Sequence, residues 1–219
     1  MAHAGFDASG FPGTAKMATI KSTTNFEWCG FYLGKAPSHP DKGWMPHRAE
    51  LVGQGWGLAP LYVGQQTIGP GSHVVTKAQG TIDGNDAVEL LEDAGFPPNT
   101  FVFLDLENGT PFPTNQKEYV AAWAKAIADQ GTFKPGVYCS HLLANDVHSL
   151  VPSARLWVFK VPTTDPHHIP GPPFPSPAPS GSGFAAAHIW QLDQRGQATL
   201  AGGSMSIDLD SALTADPGI

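Results

Sequence analysis

Apolar residues recur along this chain in short runs, and turn-rich or helical stretches separate them. Eight runs read as strands: Ala4 to Asp7, Cys29 to Leu33, Ala59 to Val63, Phe101 to Leu106, Gly136 to Ser140, Leu156 to Val161, Ala187 to Leu192 and Met205 to Leu209. Between the fourth and fifth, Asn115 followed by Glu118 has the spacing of a capping box, and Tyr119, Trp123 and Ile127 then recur every four residues until Gly131. That spacing predicts an amphipathic helix closed by its glycine. A second helix is expected over Asp86 to Ala94, where Val88, Leu91 and Ala94 share a face and Gly95, Pro97 and Pro98 end the pattern. Weaker patterns predict helices over Arg48 to Gly57 and His141 to Leu150. The stretch from Pro162 to Phe184 holds eight prolines and no apolar period, so no helix is expected there.

Strands that alternate with helices point to an α/β fold with a mostly parallel sheet, and eight of them to a (β/α)8 TIM-like barrel. The sparse C-terminal half implies that some outer helices are reduced or replaced by loops. Strand-like runs flank the Pro-rich stretch, and the 35 residues after it are too few for a second core. Residues 1–219 are therefore read as one barrel domain, with 162–184 as a loop after strand six.

Composition narrows the partners. The 219 residues are 41% hydrophobic, enough for a sizeable core, and the net charge is −7 with no cluster of Lys or Arg. Such a field repels phosphate backbones, so no nucleic-acid partner is expected. No apolar run approaches the ~20 residues of a membrane span, and no basic segment followed by an apolar one opens the chain. Cys29 and Cys139 lie inside apolar runs and read as buried thiols rather than a disulfide. His167 and His168 have no partners at metal-ligand spacing, and neither a zinc-protease signature nor a nucleophile elbow is present. No metal or cofactor is assigned.

The chemistry concentrates in Phe101-Val102-Phe103-Leu104-Asp105-Leu106-Glu107. Alternation along a strand sends Asp105 and Glu107 to one face and Val102, Leu104 and Leu106 to the other. The Cα atoms of Asp105 and Glu107 would be roughly 6.5 Å apart along the strand, in the range of acid/base pairs that flank a glycosidic bond. Barrel active sites gather at the strands' C-terminal ends, where strand one brings Asp7 and strand eight Asp208. These neighbours at barrel closure would set Asp7 beside Asp208, with Phe6 and Ile207 turned to the shell. Further groups expected at the same rim are Tyr32, Tyr62, Gln65, Gln66, Tyr138, Trp157, Trp190 and Gln191, with Tyr62 and Gln66 on the barrel side of strand three and Leu61 and Val63 on its shell side. Aromatic faces and amides of this kind suit a sugar.

Gly5-Phe6-Asp7 at the start, Asp-x-Glu ending strand four, Gly136-Val137-Tyr138, Trp190-Gln191 and Ile207-Asp208-Leu209 together resemble the glycoside hydrolase family 25 lysozymes. Gly30-Phe31-Tyr32-Leu33, Tyr62-Val63-Gly64-Gln65-Gln66 and Phe103 to Glu107 are closer still to the related glycoside-hydrolase-like domain of unknown function 1906, a largely bacterial group of cell-wall or exported contexts. The resemblance spans nearly the whole chain. It implies muramidase-like hydrolysis of β-1,4 bonds in an N-acetylated cell-wall glycan such as peptidoglycan. Glu107 would be the proton donor, Asp105 would orient the substrate's N-acetyl group as internal nucleophile, and Asp7 and Asp208 would shape the electrostatics. It also implies an extracytoplasmic or secreted location, with a cytoplasmic one as the alternative; a monomer is expected. The competing expectation is a glycan- or partner-binding domain that keeps the hydrolase framework without turnover. The Pro-rich loop is not part of the lysozyme pattern; it would form a lid, a partner-binding arm or a solvated replacement for a lost helix.

Overall fold

The computed structural model describes residues 1–67 and 72–219. Its strands are β1 (His3–Asp7), β2 (Trp28–Tyr32), β3 (Gly57–Tyr62), β4 (Phe101–Leu106), β5 (Lys134–Ser140), β6 (Arg155–Phe159), β7 (His167–His168), β8 (Ile189–Leu200) and β9 (Gly203–Ala212). Helices α1 (Thr14–Thr23), α2 (Arg48–Gly53), α3 (Lys77–Asp93), α4 (Thr114–Gln130) and α5 (Ala144–Leu150) lie between them. Strands β1 to β6 run parallel in sequence order, β6 pairs with β8, and β9 closes the ring against β1. The result is a closed eight-stranded TIM-like barrel with helices outside, as the run pattern predicts. The two-residue β7 adds only an edge to β8.

Closure differs from the parallel expectation. β8 and β9 form an antiparallel hairpin, and β9 is antiparallel to β1 as well. Asp208 therefore sits within a strand rather than at its C-terminal end, but it still pairs in register with Asp7. The hairpin strands are twelve and ten residues long, and their register shifts twice between Gln191 and Gly196. Each extra residue bends the strand and re-aims its neighbours.

Two cores hold the barrel. Inside it, Trp28, Ala59, Leu61, Phe103, Tyr138, Trp157, Ile189 and Ala212 form a plug. The Trp157 indole meets Trp28, Phe103 and Tyr138 edge-on at 5.4, 5.7 and 5.7 Å, a geometry that ring quadrupoles favour. These rings fit because glycines face them: a Cβ on Gly136 would stand 2.6 Å from the Phe103 ring, and one on Gly5 would enter the Trp28 indole. Outside, Val102, Leu104 and Leu106 of β4 join the larger core beneath the helices, as their alternation predicts.

The helices depart from expectation in instructive ways. α3 begins at Lys77, nine residues before the expected start: the Thr76 hydroxyl caps it by accepting from the Gln79 backbone N–H, and its first turns set Gly80 and Gly84 against α4. A Cβ on Gly84 would approach the Trp123 carbonyl to 2.7 Å, and Gly80 similarly abuts the Tyr119 carbonyl. These glycines permit a close helix crossing instead of breaking the helix. α4 starts at Thr114 without a side-chain cap, and Asn115 donates to the Val75 carbonyl instead of capping. α2 stops at Gly53, and Gly57 already belongs to β3. α1 has only Met17 and Ile20 buried, too little to register as a periodic face.

The Pro-rich segment contains one 3-10 turn, Pro179–Ser182, contrary to the expectation of no helix. It is a helix replacement packed on the barrel's flank. Phe174 stacks on Phe26 at 4.4 Å, Asn25 exchanges two hydrogen bonds with the Phe174 backbone, and Ser211 donates to the Pro177 carbonyl. Cys29 and Cys139 are buried free thiols, and burial pushes the Cys139 thiol up to about 12.

Candidate active site

The parallel strands deliver their last residues to one rim, and the β8–β9 hairpin crosses it. A cleft of about 410 Å³ opens there, lined by Asp7, Ser9, Lys16, Tyr32, Glu107, Arg195 and Asp208 among others. A narrow well of about 30 Å³ continues inward, with Asp7, Tyr32, Asp105, Glu107, Tyr138, Gln191 and Asp208 on its wall. Carboxyl groups from three separate parts of the chain thus share one opening. Among the described residues no Lys, Arg or His lines the well.

Each acid has a distinct setting. Asp7, 4% exposed, accepts a 2.6 Å hydrogen bond from the Tyr32 hydroxyl. Burial raises its pKa to about 6, against the lowering effect of that bond. Gly30 makes room for it, since a Cβ there would lie 2.6 Å from the Asp7 Cβ. Asp208 accepts from Gln191 Nε2 at 3.1 Å and from the Arg195 backbone N–H at 2.7 Å. The strand irregularity that aims this N–H inward also gives Arg195 a left-handed φ of 57°. Burial, with Asp7 opposite, lifts Asp208 to about 8. Asp105 is pushed well above the usual carboxylate range by burial and then by the charges of Glu107, Asp7 and Asp208. Its Oδ1 is buried without a hydrogen-bond partner. Glu107, just past the end of β4, is exposed as a residue, yet protein around its carboxyl desolvates it and raises its pKa. Desolvation and crowding of like charges favour the neutral acid, the form that can donate a proton.

The structure brings Tyr32, Tyr138 and Gln191 together with the four predicted acids. It places the other predicted groups elsewhere. The sides of β3 are inverted relative to expectation: Leu61 joins the barrel plug, while Tyr62 points outward, donates 2.7 Å to Asp86 of α3 and packs near Trp123. Trp157 lies fully buried under the site, with no face open to a ligand. Trp190 is on the barrel's outside against Gly181, its indole donating to the Lys160 carbonyl. Gln66 supports the site from behind, donating to the Asp105 carbonyl at 3.1 Å. The Gln65 backbone N–H donates to the Tyr119 hydroxyl, which fixes the loop that carries Gln66.

Asp210 is a member of the acid group that the sequence reading does not include. It is 1% exposed, one layer below Asp208 on the same face of β9, and accepts 2.9 Å from Trp157 Nε1. The signal is present in the sequence, since Asp208-Leu209-Asp210 repeats the spacing of Asp105-Leu106-Glu107.

A barrel with carboxyl groups gathered at its mouth is a glycoside-hydrolase-like framework. The chain belongs to the Rv2525c-like, glycoside hydrolase-like domain family, whose match spans residues 18–211. Three solved structures share the fold. The Mycobacterium tuberculosis Tat-secreted protein Rv2525c is 16% identical, with a TM-score of 0.65 over 99% of this chain and 97% of its own. The lysozyme of Streptomyces coelicolor is 14% identical, with a TM-score of 0.63 over 98% and 93%. GHIP, a glycosyl hydrolase 25 of Streptococcus pneumoniae, is 14% identical, with a TM-score of 0.62 over 95% and 86%. No curated protein matches the chain. The family and the lysozyme fold read from the sequence motifs therefore hold.

Proposed function

We propose that this protein hydrolyses β-1,4 bonds of an N-acetylated cell-wall glycan such as peptidoglycan, in the manner of a muramidase. The observation that carries the reading is Glu107, a carboxyl with a raised pKa at the junction of the open cleft and the acid-lined well. A sugar chain lying in the cleft meets it together with Asp7 and Asp208. Glu107 donates its proton to the leaving oxygen. Asp105, on the same strand face and deeper, orients and polarises the substrate's N-acetyl group, whose carbonyl oxygen attacks the anomeric carbon; this substrate assistance is a recognised variant of glycoside hydrolysis. Water then opens the cyclic intermediate, with Glu107 taking back a proton. Asp7 and Asp208 set the field in which the charge develops, while Tyr32 lines the cleft and Tyr138 and Gln191 line the well beneath it. A wall substrate fits an exported protein; the M. tuberculosis relative is Tat-secreted, and no helix among the described residues is long and apolar enough to cross a membrane.

Reducing-end release from purified peptidoglycan tests this. Glu107→Gln should lose at least 10²-fold, within the range of general acid catalysis, and Asp105→Asn should fall steeply. Wild-type activity in both variants would remove these residues from the mechanism. Binding of wall fragments with no product from the wild type would instead establish a binding domain on a hydrolase framework.

A further inference from the structure

Asp210 is the deepest acid of the barrel and has no part in the proposed chemistry. One of its oxygens, Oδ1, takes the Trp157 indole N–H, while Oδ2 is buried and finds no donor. On one side β9 pairs with β1, so that Asp210 faces Gly5, which has no side chain, and the Asp7 carboxyl lies within hydrogen-bond reach. On the other side its partner on β8 is Gln191, whose amide donates to Asp208 and makes no bond to Asp210. Two ionised carboxylates cannot bond each other, and an orphaned oxygen in this position is costly. A proton on Asp210 Oδ2 removes both difficulties at once.

We propose that Asp210 is a positioning residue whose carboxylic O–H donates to Asp7. Asp7 then carries two hydrogen bonds, from Tyr32 and from Asp210, and is held as the anion beside the well. The same bond favours the charged form of Asp7 and the neutral form of Asp210. The titratable groups facing the pair are all acidic: Asp208 on its own strand, Asp105 and Glu107 across the well, and the Tyr32 and Tyr138 phenols. Lys16 and Arg195 line the outer cleft above Asp7, but among the described residues no Lys, Arg or His lines the well itself. The consequence for turnover rests on the glycosidase reading, whereas the proton itself does not.

The test compares Asp210→Asn with Asp210→Leu. An Asn amide N–H replaces the O–H as donor, whereas Leu fills the space and donates nothing. D210N should keep kcat within about tenfold of wild type, as expected for exchanging one neutral hydrogen-bond donor for another. D210L should lose more than D210N, chiefly in kcat, with the acidic limb of its pH profile displaced. Independently of activity, the wild-type minus D210N infrared difference spectrum near neutral pH should contain a protonated-carboxyl C=O component from Asp210, on top of the absorption that Asp208 and Asp105 give in both proteins. A difference spectrum without that component for folded D210N, or equal kcat and equal pH profiles in D210N and D210L, would overturn the assignment. If the wild type has no glycosidase activity but the component is present, the hydrolase reading falls and the shared proton stands.

Discussion

Replacing Asp7 by Asn tests the buried-acid account through stability. In the unfolded chain this carboxyl titrates near 3.8, and in the fold at about 6, chiefly because burial disfavours its charge. Between those values the native state holds more protons than the unfolded state, so stability falls as pH rises through the window. The rise from 3.8 to about 6 corresponds to a loss of about 3 kcal/mol by pH 8. Asn cannot ionise. Its amide oxygen can still accept from Tyr32 and its N–H can meet Asp210, so the exchange costs the difference between two pairs of hydrogen bonds, about 1 kcal/mol. D7N should therefore be more stable than wild type at pH 8 by roughly 2 kcal/mol, and within about 1 kcal/mol of it at pH 4, where the folded-state carboxyl is largely neutral. Urea unfolding at pH 4, 6 and 8 measures this directly, provided that m stays constant. A D7N protein less stable than wild type at pH 8 would show that the hydrogen bonds to the Asp7 charge outweigh the cost of burying it and would refute the reasoning. Extra stability gained by removing a site acid would be a common trade against activity.

Other expectations follow from the same geometry. Tyr32→Phe removes the hydroxyl bonded to Asp7, so the Asp7 carboxyl should titrate above its present value of about 6; carbon-13 NMR of the labelled carboxyl checks the direction, and no movement would exclude the bond. Gly30→Ala forces a Cβ against Asp7 and should cost about 1–3 kcal/mol, measured as a lowered thermal midpoint; an unchanged midpoint would mean that Asp7 has room to move. Cys29 and Cys139, buried and with thiols held protonated, should react with a thiol reagent only as fast as the protein unfolds; prompt labelling of the folded protein would contradict their burial.

Much of this arrangement is legible in the sequence because alternation along a strand is a local signal. Asp105 and Glu107 face one way and Leu104 and Leu106 the other for steric reasons that need no tertiary information. The pairing of Asp7 with Asp208 follows from barrel closure alone. Other features depend on contacts the sequence does not display. On β3 all six residues are buried, so polarity cannot tell which face is inside, and the expected side for Tyr62 is the wrong one. Trp157 and Trp190 look alike as aromatic rim residues, yet one faces the plug and the other the flank, because they occupy opposite sides of adjacent strands. The first turns of α3 carry no apolar period and hold Gly80 and Gly84, poor helix formers whose place in the helix makes sense only with α4 packed against them. The antiparallel hairpin is hidden because Ala187 to Leu192 and Met205 to Leu209 read as separate strands. In fact β8 runs through Gln194, Arg195 and Gly196 to Leu200, an irregular stretch without alternation.

The central claim is that a sugar chain occupies the rim with its scissile oxygen at Glu107. A crystal structure of Glu107→Gln soaked with a muropeptide or a chitooligosaccharide tests it. The account predicts a sugar in the cleft between Asp7, Asp105 and Asp208, with the glycosidic oxygen within about 3 Å of the amide that the substitution introduces. A ligand bound elsewhere, or one in the cleft with that oxygen turned away from the substituted side chain, would contradict it.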